Sequence, residues 1–157
     1  MPNTSHHHDK EERKLLTFAQ EIALVKIIQK GKPPTASYTQ KQEAIKATKE
    51  LVEGNQQLVE AIADRYCLTL CKKYTYLDKH ENTPILEDLE RRFIKAGAQG
   101  IPKALDHYSL VKGYKFSTYA TWWIKTEIEK QIEEWEKLNK SVKILRSSKV
   151  DNPVKAD

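Results

Sequence analysis

No apolar run in the 157 residues approaches the ~18–20 needed to span a membrane. The N-terminus lacks the apolar core of a signal peptide, so the chain is expected to be soluble and cytoplasmic. Cysteine is scarce: Cys67 and Cys71 stand four apart in a helical pattern, and no second Cys/His pair has matching spacing. They are expected to be two buried thiols, with no metal site. Also missing are a nucleophile–base pattern, a phosphate loop and internal repeats. No catalytic residues and no cofactor are therefore expected, and the chain is not read as an enzyme. Net charge is only +5, too mild a bias to indicate nucleic acid on its own.

What is present is concentrated. Tyr114, Phe116, Tyr119, Trp122 and Trp123 place five of the thirteen aromatics in ten residues, with Lys112, Lys115, Lys125 and Lys130 among and around them. Ser117 and Thr118 could cap a helix there. Ile124, Ile128, Ile132, Trp135 and Leu138 then recur at three- and four-residue steps, which defines one buried face. The aromatics beside the lysines could be core packing. They could equally be an exposed platform for unpaired bases, at ~1–3 kcal/mol per stacked base.

Charge distribution adds a second asymmetry. Residues 81–90 carry Glu81, Glu87, Asp88 and Glu90 without a Lys or Arg. Residues 91–130 carry eight basic against three acidic residues, an excess of five. Adjacent basic and acidic surfaces suit a protein that meets DNA and a basic partner.

The rest reads as helices. Residues 1–14 are polar and aperiodic and are expected to be a disordered leader, with His6, His7 and His8 assigned no function. Thr17 and Gln20 form a capping box ahead of an amphipathic helix built on Phe18, Ile22, Val25 and Ile28. Gly31 and Pro33-Pro34 should end it. Thr39 and Gln42 would open a stretch to about Tyr74, broken near Gly54-Asn55, with an apolar stripe that includes Ile45, Leu51, Val59, Ile62, Tyr66 and Leu70. Residues 75–83 read as a loop. A helix then starts near Pro84, and Pro102 should kink or split it. The aromatic helix should end near Asn139, followed by a basic tail over residues 141–157. The expected fold is all-α, one bundle of about five helices over residues 15–140.

GYKFSTYATWWIK, from Gly113 to Lys125, resembles the region-two signature of the sigma-70 family of bacterial transcription initiation factors. Leu15–Gly31 is similar to the helix before that region, Glu50–Tyr66 to its opening helix, and Leu86–Leu89 to the start of its polymerase-gripping helix. The resemblance implies a helical domain that binds the RNA polymerase core and captures the non-template strand of the promoter minus-ten element, in the nucleoid. Residue by residue, Trp122 and Trp123 would wedge at the upstream edge of the melted segment. Tyr119 would stack on the first flipped adenine beside Thr118 and Lys115. Tyr114 and Phe116 would support opening or pack beneath, and Tyr108 stands where the family has Phe. Lys112 and Lys125 match phosphate contacts, and Thr126 and Glu129 match positions that read the upstream base pair.

The family's clamp contact, acidic sigma on the basic largest polymerase subunit, would fall on Glu87, Asp88 and Glu90. Arg91 and Arg92 depart from the pattern there. The later sigma domains have no counterpart in the sequence, so a second protein could supply them. The leading expectation is a sigma-like initiation factor. The alternatives are a phage- or element-encoded regulator that occupies the sigma site without productive initiation, or a single-stranded DNA binder.

Overall fold

The computed structural model describes residues 15–150, with side chains to residue 140. The expected leader over residues 1–14 and the end of the expected tail lie outside the described residues. Five α-helices are present: α1 Phe18–Gly31, α2 Tyr38–Gly54, α3 Gln56–Lys73, α4 Thr83–His107 and α5 Phe116–Val150. No strand occurs among the described residues, so the all-α expectation holds.

Capping starts α1 as expected. The Thr17 hydroxyl accepts from the Gln20 backbone N–H at 3.2 Å, and the Gln20 side-chain Oε1 accepts from the Thr17 backbone N–H at 2.8 Å. Gly31 is the last residue of the helix. Its buried face is Glu21, Leu24, Val25 and Ile28, while Phe18 is exposed. The helical period thus puts a carboxylate where an aromatic was expected. The box opening α2 is Ser37 with Gln40, not Thr39 with Gln42. Both pairs have the required spacing, but Thr39 is already inside the first turn.

Gly54-Asn55 separates α2 from α3, and Asn55 donates from its side chain to the Leu51 carbonyl at 2.8 Å. Leu51, Val59, Ile62 and Leu70 are buried, whereas Ile45, expected in the same stripe, is 64% exposed. Cys67 is buried and Cys71 only partly so. Burial, aided by Glu90 and Asp64, pushes the Cys67 thiol up to about 12, so it stays protonated.

The expected loop after α3 is two short 3-10 turns, Thr75–Asp78 and His80–Asn82, pinned by the buried Leu77. Pro84 lies in the first turn of α4. Pro102 does not split α4, which is continuous through it. The proline is exposed, so the missing bond falls on the solvent side, and Ile101, Ala104 and Leu105 stay buried around it. Likewise α5 does not stop at Asn139 but continues to Val150. Ile124 and Ile128 are fully buried, Ile132 and Trp135 pack at the margin, and Leu138 is exposed.

The core joins all five helices around Leu51, Val59, Phe93, Ile101, Phe116, Ile124 and Ile128. Burial of each such side chain favours the fold by ~1.5–3 kcal/mol. Two glycines set the closest approach. A Cβ on Gly97 would meet Val59 Cγ1 at 2.9 Å, and one on Gly100 would meet the backbone of Trp123 and Ile124 at 2.8 Å. The middle of α4 therefore touches the α5 backbone at the aromatic cluster.

Candidate nucleic-acid interface

Gly113 ends the turn Leu110–Lys112 with φ 74°, a left-handed conformation that costs glycine little, and α5 begins three residues later. Ser117 and Thr118, expected as the cap, lie inside the first turn instead. Glu21, reaching from α1, is buried near the first turn of α5, where Ser117 and Lys115 favour its ionised form. Glu21 is 4% exposed, and its Oε2 has no partner. Burial raises its pKa, and Ser117 and Lys115 only partly oppose that.

Over this turn the aromatics assemble in two groups. Tyr108 is buried at the centre of the first, with the rings of Phe116, Tyr119 and Tyr114 at 5.3, 5.7 and 5.9 Å. Its hydroxyl donates to the Tyr114 carbonyl, which fixes the turn to the pocket. Phe116 is sealed beneath, Tyr119 is half-buried and Tyr114 is exposed. Tyr114 and Tyr119 lie 5.8 Å apart at 34°, two tilted faces side by side.

In the second group, Trp122 and Trp123 are perpendicular with centroids 5.0 Å apart. Trp122 is 61% exposed. Trp123 is half-buried and stacks on His107 at 4.7 Å and 24°, and its indole N–H is buried without an acceptor. The aromatics thus divide between core and surface: Tyr108 and Phe116 form a floor under the more open Tyr114, Tyr119 and Trp122.

Lys112, Lys115, Thr118 and Lys125 are exposed around this surface. Trp122, Lys125, Thr126 and Glu129 follow at spacings that share one face of α5. The Thr126 hydroxyl donates to the Trp122 carbonyl at 2.8 Å. Glu129 accepts from the Tyr66 hydroxyl of α3 at 2.5 Å. Glu127, one residue from Thr126, points inward and is clamped by Lys103 at 2.8 Å and Lys130 at 2.9 Å. Burial opposes its ionisation, but the two ammonium groups win and lower its pKa.

The acidic residues lie apart, at the other end of α4. Glu87 is exposed, and Asp88 pairs with Arg92 at 2.9 Å and Arg91 at 3.7 Å. Glu90 is half-buried, its pKa raised by burial and then by Asp64, Glu87 and Glu60. Glu21, Gly100 and His107 went unnoticed in the sequence, and Tyr66 was read only as part of an apolar stripe. Of these, only the Gly97-x-x-Gly100 spacing left a signal, as two small residues one turn apart suit close helix contact.

Among the described residues no cluster of His, Cys, Asp or Glu could hold a metal, and no helix is long and apolar enough to cross a membrane. No family model matches the chain. The helical bundle is nonetheless a relative of the sigma-70 family. The RNA polymerase sigma factors SigA of Listeria monocytogenes and Listeria innocua are each 33% identical to it over 144 residues, or 85% of this chain. The chain spans 31% of the length of each.

Proposed function

We propose that this chain acts as a sigma-like transcription initiation factor, binding a multisubunit RNA polymerase core in the cytoplasm and capturing non-template bases of a promoter minus-ten element. The observation that carries the reading is the uncovered aromatic row at the head of α5, ringed by exposed lysines. In this reading Trp122 and Trp123 form the upstream wedge and Tyr119 and Tyr114 offer stacking faces. Lys112, Lys115 and Lys125 meet phosphates, with Thr118 beside the first flipped base. Phe116 and Tyr108 hold the platform from below.

Magnitudes decide what the chain does alone. Separating about ten base-pair steps costs on the order of 14 kcal/mol. Two or three stacked bases return roughly half of that at best. The polymerase supplies the remainder, so duplex opening requires the complex. A reconstituted transcription assay with core polymerase tests this: promoter-dependent initiation is expected only when both are present. Melting of duplex promoter DNA by the chain alone would overturn it.

A second reading is a polymerase-bound regulator without productive initiation. It is favoured by the pairing of Asp88 with Arg91 and Arg92, which neutralises the acid proposed to meet the basic clamp. Glu87 and Glu90 are then the remaining clamp contacts. Inhibition, rather than initiation, in the same assay selects this reading.

A further inference from the structure

We infer that His107, the last residue of α4, is a positioning residue whose imidazole holds the Trp123 indole in place for strand capture. The inference rests on the proposed DNA-binding reading and adds to it the side chain that sets its wedge. Two adjacent residues at the end of α4 each organise one group of aromatics. Tyr108 gathers the rings of Tyr114, Phe116 and Tyr119. His107 lies over Trp123 with ring centroids 4.7 Å apart and planes within 24° of parallel.

Trp123 needs such a partner. It packs at the margin of the core, and the close approach of Gly100 fixes its backbone. No hydrogen bond fixes the ring, because its indole N–H is buried without an acceptor. Its orientation is left to the rings against it, and there are two of these: Trp122 and His107. Trp122 is the more exposed and is itself offered to DNA, so it makes a poor brace. His107 belongs to another helix and covers one indole face, which makes Trp123 a bracket for Trp122 rather than a second free platform.

His107 is held in turn. Its Nδ1 lies 3.0 Å from the Lys103 carbonyl, which can only accept, so the proton sits on Nδ1 and the ring is tied to its own helix. Lys103 also crosses to Glu127, one turn after Trp123 on α5, at 2.8 Å. The last turn of α4 therefore meets α5 twice, through the stack at Trp123 and the ion pair at Glu127. An indole fixed in this way loses less freedom when DNA arrives than one that DNA must order.

The test is a double-mutant cycle on the full chain with core polymerase, read as affinity for a fork-junction DNA with a single-stranded TATAAT-type non-template segment. His107→Ala should weaken binding about three- to tenfold, as loss of one aromatic pair would. His107→Phe keeps a flat ring without charge or hydrogen bond and should recover most of the loss. In a Trp123→Ala background, His107→Ala should have no further effect, since no indole remains to be held. A loss that persists in that background, or that His107→Phe fails to recover, overturns the inference and makes His107 a direct DNA contact. Equal losses of urea stability and binding in His107→Ala and His107→Phe overturn it as well, leaving a packing residue. Wild-type binding by His107→Ala with weak binding by Trp123→Ala overturns it while the aromatic reading stands. Wild-type binding by Trp123→Ala itself overturns both.

Discussion

Gly100 on α4 lies so close to Trp123 on α5 that a methyl on its α-carbon would sit 2.8 Å from the Trp123 carbonyl carbon. The two helices touch through backbone at the point where the aromatic row ends. Gly100→Ala should therefore push α5 outward rather than improve helix propensity. Overpacking of this kind costs about 1–3 kcal/mol. Chemical denaturation should show that loss, with a changed tryptophan emission as Trp123 leaves His107.

The buried Glu21 near the first turn of α5 gives a paired prediction. Glu21→Ala removes the buried carboxylate that Ser117 and Lys115 favour near the first turn of α5 and should cost about 0.5–2 kcal/mol, the range of a lost N-cap. Glu21→Gln keeps an acceptor without the buried charge. Because the folded-state pKa is raised above 4.5, wild type binds a proton more readily folded than unfolded. Its stability relative to the Gln variant should rise as pH falls through that raised pKa, and level off below the ordinary value of 4.5. Urea unfolding at several pH values measures the difference.

Glu127 should behave with the opposite sign. Its pKa is lowered by Lys103 and Lys130, so the clamp stabilises the fold above the ordinary carboxylate pKa. That contribution should drain away as pH falls below 4.5 through the depressed folded value. Glu127→Gln should flatten this acid limb of the stability curve.

At the clamp-facing end, Arg92→Ala should strengthen co-purification with core polymerase, because it frees Asp88 from its 2.9 Å partner. Asp88→Lys should weaken it. Equal recovery of polymerase with both variants would place the contact elsewhere.

Helix order, the Thr17 cap, the break at Gly54-Asn55 and the buried Ile124 and Ile128 were legible because local rules fix them. The departures come from information that is not local. Ser37 and Thr39 each stand three residues before a glutamine, and the spacing alone does not choose between them. Pro102 was expected to kink or split a helix that in fact runs on through it, with Ile101, Ala104 and Leu105 buried around it. Ile45 and Leu138 fit the apolar period but are each 64% exposed. Glu21 resembles an ordinary surface acid until it is seen buried near the first turn of α5. The residues of the aromatic row were visible in sequence, whereas its division into a sealed floor and an open edge needed coordinates.

The most direct test is the Trp122→Ala/Trp123→Ala variant in a polymerase complex on promoter DNA, followed by permanganate reactivity of unpaired thymines in the minus-ten element. The account predicts that the variant still co-purifies with core polymerase but leaves those thymines unreactive. Wild-type reactivity in the variant would contradict the claim that these side chains hold the strand apart.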